Sequence, residues 1–104
     1  MPLNKILKSC KKILSHYYGN RLQGIVLYGS SARKTSMRES DIDFLVLLKR
    51  PVDYFVELRI LTDLLYPIQL ECDRLISAKP VDAIEFETGQ IQLYRNAKKE
   101  GLLI

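Results

Sequence analysis

The chain has 104 residues, of which 47% are hydrophobic and 27% are charged, and its formal net charge is +4. A chain of this length buries about two-thirds of its unfolded surface around one core, so we expect a single domain over residues 1–104. No apolar segment approaches the ~20 residues that cross a bilayer and no secretion signal opens the sequence, which favours a cytoplasmic protein without membrane contact.

A helix is predicted over Leu3–Tyr18, where apolar side chains recur at helical spacing. Its basic residues Lys5, Lys8, Lys11 and Lys12 occupy the opposite side, as expected of a helix that packs on its own sheet and presents charge to water. The sequence has no strand rich in aromatic residues, the feature on which single-stranded nucleic acids stack. Binding of nucleic acid is therefore not favoured.

A compact apolar strand is predicted over Leu22–Tyr28, and it ends abruptly at Gly29 and Ser30. Glycine allows the backbone to approach a phosphate, and serine is a preferred cap of a helix whose first N–H groups attract an anion. We therefore expect a short helix from Ser30. Arg33 and Lys34 lie about one turn further on and are candidates for contacting phosphate oxygens, the alternative being ordinary surface charge.

The next strand is predicted over Asp41–Leu48 and is almost wholly apolar after its first residues. Asp41 and Asp43 are two positions apart, so their side chains point to the same face of the strand. Carboxylates at the start of a buried strand need compensation, and oxygen ligands at this spacing suit Mg²⁺ bound together with substrate phosphates. The alternative is that Asp41 is a strand-edge or turn acid and Asp43 is a member of an ion pair.

The second half of the chain is predicted to contain a helix from Pro51 to about Leu65 that is stopped by Pro67, then a strand over Ile68–Ile76. A last helix is expected to end at a glycine cap, Gly101, and the apolar residues 102–104 would add a strand, fill a core edge or join a partner surface. Strands alternating with helices predict an α+β fold with a small mixed or antiparallel sheet.

The two cysteines, Cys10 and Cys72, are expected to be reduced packing residues. Two cysteines alone cannot build a structural zinc site, and disulfides are rare in the cytosol. His16 has no companion ligands in the sequence and is expected on a helix surface.

Two motifs together resemble a known family. The string GSSAR at residues 29–33 is followed by SDID at residues 40–43, and the order strand, Gly-Ser, helix, strand with D-x-D is similar to that of the polymerase-β-like nucleotidyltransferase superfamily. The resemblance is to its minimal single-domain members and spans nearly the whole chain. One departure is Lys34, because glycine is common there in the family.

The resemblance implies a third carboxylate on a neighbouring strand, which completes the metal site and acts as base in many members. Glu71, with apolar neighbours on the predicted strand 68–76, is the first candidate. Asp73 would share its face and is the second, with Arg74 neutralising whichever acid is not a ligand. The alternative is that these three residues form a solvated surface.

The function implied by the resemblance is transfer of AMP from ATP to an acceptor, with one or two Mg²⁺ ions held by Asp41, Asp43 and Glu71. Minimal members are often encoded beside a HEPN-domain toxin and act as its antitoxin by adding AMP to a tyrosine. Two alternatives remain, a binding-only antitoxin or adaptor and a small-molecule (aminoglycoside-like) nucleotidyltransferase. A homo- or hetero-oligomer is compatible with each of these functions.

Overall fold

The computed structural model describes residues 2–29 and 41–104; the helix predicted from Ser30 lies outside these ranges. A short 3₁₀ turn at Gly19–Arg21 separates the first helix from the first strand. No helix of the described part is long and apolar enough to cross a membrane. In chain order the elements are α1 (Leu3–Tyr18), β1 (Leu22–Tyr28), β2 (Ile42–Leu48), α2 (Tyr54–Leu70), β3 (Ile76–Asp82), α3 (Ala83–Thr88), α4 (Gln92–Glu100) and β4 (Leu102–Leu103).

The strands form one mixed sheet in the order β3-β2-β1-β4. β1 pairs antiparallel with β2 and with β4, whereas β2 and β3 are parallel and are joined through α2. The α+β fold and the mixed sheet predicted from the sequence are confirmed, as are the bounds of α1 and β1. β4 also confirms one of the alternatives for the apolar tail, since Leu102 and Leu103 pair with Leu27 and Val26.

The two faces of the sheet bury separate cores because side chains alternate along β2. Ile42, Phe44 and Val46 belong to the larger core, against α1 and α2. Leu45 and Leu47 belong to a smaller core, which includes Phe86 of α3 and Ala97 of α4. Burial on both faces explains why β2 is an almost unbroken apolar run. Asp43 lies on the same face of the sheet as Leu45 and Leu47, which is the face of the smaller core.

A buried carboxylate links α1, the turn after it and α2. Glu57 is only 5% exposed, and its Oε1 accepts a hydrogen bond from the Tyr18 hydroxyl at 3.2 Å. Its Oε2 is 2.7 Å from a guanidinium nitrogen of Arg21, which also donates to the Pro51 carbonyl at 2.8 Å. Burial, followed by the charge of Glu57, raises the pKa of Tyr18. The charge is thus compensated where three segments meet, as a buried carboxylate requires.

The predicted end of α2 is wrong, because the helix continues through Pro67 for three further residues. Proline removes one N–H and crowds the preceding turn, which normally ends a helix. Here Ile68 is buried in the larger core, and the Gln69 side chain donates to the Arg74 carbonyl and accepts from the Ile76 N–H. These contacts stabilise the last turn of the helix and offset the hydrogen bond that is lost at Pro67.

The strand predicted over Ile68–Ile76 is wrong for the same reason. Its first residues belong to α2, and β3 begins only at Ile76, where that strand was expected to end. The segment between them, residues 71–75, connects the helix to β3. Any side chain assigned to the face of the predicted strand therefore has a different position.

α3 begins at an acidic cap. Asp82 Oδ1 accepts hydrogen bonds from the N–H groups of Ile84 and Glu85, and its Oδ2 is 2.6 Å from Nε of Arg50. Burial opposes the charge of Asp82, but the hydrogen bonds from Glu85, Arg50 and Ile84 outweigh it, so the pKa lies below its ordinary value. The other end of α3 is capped by Gly89 in the left-handed conformation, with φ of 64°.

Gly101 ends α4 as predicted, but for a different reason than a left-handed cap. Its φ is −77°, a backbone conformation open to any residue. A Cβ atom there would lie 2.5 Å from the Ala97 carbonyl oxygen and 2.6 Å from Cγ1 of Val26. Glycine is needed at this position because the end of α4 lies directly on β1.

Candidate active site

The site lies where β1 ends beside the start of β2. Tyr28 and Asp43 are directly opposite each other in the antiparallel pair, and Gly29 follows at once. Gly29 has φ of 73°, and a Cβ atom on it would lie 2.9 Å from Oδ2 of Asp43. A residue without a side chain is therefore required both by the backbone conformation and by the closeness of the carboxylate. The structure brings the glycine bend and Asp43 together.

The two aspartates share one face, because Asp41 immediately precedes β2 and lies two residues before Asp43. Asp41 is exposed and Asp43 is half-buried. Burial raises the pKa of Asp43, the negative charge of Asp41 raises it further, and the charge of Lys79 acts in the opposite direction. A carboxylate whose charge is destabilised by burial and by a neighbouring carboxylate favours a cation beside it.

The third strand contributes Ser77 and Lys79 to the same face. Ser77 is the parallel partner of Asp43, and its neighbours Ile76 and Ala78 pack against the larger core, so the odd-numbered side chains point to the face of Asp43. Burial raises the pKa of Tyr28, and the charge of the nearby Lys79 acts in the opposite direction. No carboxylate on β3 faces Asp43.

The predicted third acid is not brought to the aspartates. Glu71 is the exposed C-terminal cap of α2, and Cys72 next to it packs against the larger core, on the other face of the sheet. Asp73 is exposed in the same connecting segment. Within residues 2–29 and 41–104, no three His, Cys, Asp or Glu side chains are grouped closely enough to hold a metal ion. The strand placement that motivated Glu71 is wrong.

Three of the predicted phosphate-binding residues, Ser30, Arg33 and Lys34, lie outside the described residues, and their roles stay predictions. On the described side of the bend, Tyr28 and Gly29 line a cavity of 180 Å³ together with Leu93, Asn96, Ala97 and Glu100. The space beside the glycine bend thus extends along β1 toward α4.

The donor set fits one Mg²⁺ ion. Two carboxylates on one face, with a glycine bend that leaves room for a phosphate, match the preference of Mg²⁺ for one or two carboxylates plus phosphate oxygens and water. The set does not fit the three-carboxylate centre implied by the family resemblance, because the strand next to Asp43 presents Ser77 and Lys79 there.

Lys79 and Tyr28 are the residues of this site that the sequence interpretation missed. Tyr28 was placed correctly at the end of β1, but without a role. Lys79 is absent from the prediction because the predicted strand, Ile68–Ile76, ends three residues before it. The pattern of apolar Ile76 and Ala78 around Ser77 is the feature that could have revealed it.

Two solved structures that resemble this fold are a candidate nucleotidyltransferase and a chain of a toxin–antitoxin complex. A candidate nucleotidyltransferase from Sulfolobus solfataricus superposes with a TM-score of 0.62 at 18% sequence identity, covering 95% of this chain and 78% of that one. A chain of the toxin–antitoxin complex MntA–HpeT, in a variant with two aspartates changed to glutamate, gives a TM-score of 0.59 at 20% identity, covering 99% of this chain and 71% of that one. No curated protein matches the sequence.

The mixed sheet flanked by helices is therefore a nucleotidyltransferase fold. The family model for the nucleotidyltransferase domain matches residues 3–104. The chain belongs to the nucleotidyltransferase domain family.

Proposed function

We propose that this protein is a cytoplasmic, Mg²⁺-dependent nucleotidyltransferase that moves AMP from ATP to a tyrosine hydroxyl of a HEPN-type toxin and thereby acts as its antitoxin. The observation that carries the proposal is the contact between Gly29 and Asp43, with Asp41 on the same face. A close glycine bend beside two carboxylates is an arrangement suited to a metal-bound triphosphate.

Each residue has a role that follows from its chemistry. Asp41 and Asp43 would hold Mg²⁺, which when bound neutralises charge on the phosphates. Gly29 and Ser30 would bring backbone N–H groups to the β- and γ-phosphates, and Arg33 and Lys34 would contact the phosphate oxygens. Asp43 is half-buried, and it would gain a compensating charge from the Mg²⁺ that arrives with the nucleotide.

The transfer itself exchanges one bond for another. The acceptor oxygen bonds to the α-phosphorus, the bond from the α-phosphorus to the bridging oxygen breaks, and pyrophosphate leaves with that electron pair. The acceptor proton passes to water. The chain's contribution is to bind and orient the triphosphate beside Gly29 and to keep the α-phosphate accessible to the acceptor.

A protein acceptor is supported by the likeness to a chain of a toxin–antitoxin complex. The experiment is to incubate the protein with α-labelled ATP, Mg²⁺ and the product of the adjacent gene, and to follow label on protein by electrophoresis. We expect label on the partner with the wild type and none with the double variant Asp41→Asn, Asp43→Asn. Asp63→Asn is the matched control, since Asp63 is an exposed acid of α2, the helix that packs on the other face of the sheet. Labelling by the double variant would refute the site.

A binding-only antitoxin is the second candidate, favoured by the serine and lysine that β3 presents beside Asp43. It predicts that the wild type and the double aspartate variant form the same complex with the toxin and neutralise it equally. A small-molecule acceptor has no observation in its favour. Neutralisation that requires both aspartates would exclude the binding-only function.

A further inference from the structure

The side chain of Lys79 crosses the central strand. Lys79 is on β3 and Tyr28 is on β1, with β2 between them. Neighbouring strands are about 4.8 Å apart, so a Lys79 side chain whose charge acts on Tyr28 must extend over β2. The ammonium of Lys79 therefore lies above the strand that carries Asp43, on the same face and next to the glycine bend.

A lysine in this position changes how many cations the site takes. Two aspartates contribute two negative charges, and Lys79 contributes one positive charge that acts on Asp43. One divalent ion on the aspartates then gives a net positive site for a triphosphate. A second divalent ion would have to lie beside the ammonium and would be repelled by it, because charges separated by a few Å in a half-buried site interact strongly.

We propose that Lys79 is the second cation of the site: it contacts a phosphate oxygen of the bound nucleotide, while Asp41 and Asp43 hold a single divalent ion. This inference rests on the proposed function. Lys79 is half-buried near Tyr28 before the nucleotide binds, and its ammonium then donates to a phosphate oxygen, a strong acceptor. Lys79 thereby supplies on β3 a charge that a carboxylate there would supply only through an additional metal ion.

The test is binding of α,β-methylene ATP with Mn²⁺, measured by calorimetry, with bound Mn²⁺ counted by electron paramagnetic resonance. We expect one Mn²⁺ per chain at saturating analogue. Lys79→Met should weaken binding of the analogue at least about tenfold, whereas Lys79→Arg should stay within a few-fold of the wild type. Lys8→Met, on the exposed face of α1 across the sheet, is the control and should bind as the wild type does.

The outcomes separate the inference from the proposed function. Two Mn²⁺ ions per wild-type chain, or Lys79→Met binding the analogue as tightly as the wild type, would overturn the role of Lys79 while leaving the transferase intact. Failure of the wild type to bind the analogue with Mn²⁺ at all would overturn both. A weakened Lys79→Met whose melting temperature equals that of the wild type, rescued by arginine, supports a phosphate contact over a structural role.

Discussion

Replacing Gly29 by alanine tests the contact on which the site depends. The new Cβ atom would start 2.9 Å from Oδ2 of Asp43, whereas ordinary contacts begin at 3.4 Å, so the carboxylate must move by about 0.5 Å. Binding groups must be held within about that tolerance, and misplacement by about 1 Å costs up to about 100-fold. We expect Gly29→Ala to weaken binding of α,β-methylene ATP with Mn²⁺ by at least about tenfold.

The same substitution also strains the backbone, because Gly29 has positive φ. That strain costs on the order of 1–3 kcal/mol of unfolding free energy. Gly19 provides the matched control: its φ is also positive, 54°, but a Cβ atom there would meet nothing within 4 Å. Gly19→Ala should therefore lose stability on the same scale and bind the analogue as the wild type does.

The assay pairs calorimetric binding of the analogue with urea unfolding of both variants. We expect both variants to lose a comparable amount of stability and only Gly29→Ala to lose affinity. That result would assign the loss of affinity to the displaced carboxylate. Unchanged affinity in Gly29→Ala would refute the reasoning. So would an equal loss of affinity in Gly19→Ala, because the effect would then follow general destabilisation.

Three further predictions concern stability. Arg21→Met leaves the Glu57 charge buried without its cation and should lower the free energy of unfolding in urea by about 1–3 kcal/mol, a value discounted for the partial exposure of the arginine. Adding Glu57→Leu should recover most of this loss. An unchanged free energy of unfolding in Arg21→Met would contradict the network. Asp82→Ala should lower the free energy of unfolding by about 1 kcal/mol at pH 7. Because the pKa of Asp82 is lowered in the folded state, the stability difference between wild type and variant should shrink as pH falls below 3.8, the ordinary pKa, and through the pKa of the folded protein. A stability difference that persists in acid would exclude the charged cap. Gly101→Ala places a Cβ atom 2.6 Å from Cγ1 of Val26 and should lower the free energy of unfolding by about 1–3 kcal/mol. It should also remove the protection of β4 against hydrogen exchange. Full protection of β4 in this variant would show that α4 moves to accommodate the new side chain.

The first half of the sheet was predictable because its pattern is local. Amphipathic spacing predicted both ends of α1 correctly. The apolar run of β2 predicted a strand that starts at Asp41, one residue before the observed start, and that contains Asp43. The glycine after β1 indicated a tight bend without any knowledge of the neighbouring strand. What the pattern could not give is the distance between Gly29 and Asp43, which depends on how β1 and β2 pair.

The second half failed where contacts distant in sequence decide the structure. Apolar Ile68, Leu70 and Cys72 alternate with polar residues and imitate a strand, while Pro67 suggested that the helix had ended. The helix continues because Ile68 is buried in the core. β3 itself is weak in pattern, with a lysine and a proline inside it, and this composition suits a strand at the margin of a sheet.

The two margins of the sheet determine how this domain meets other chains. On one side Pro80 interrupts the row of N–H donors in β3, and on the other β4 is only two residues long. Among the described residues neither margin offers a long template to which a foreign strand could add, and such templates are the sites where sheets coalesce into aggregates. We therefore expect partners to bind through side chains rather than by adding a strand to this sheet.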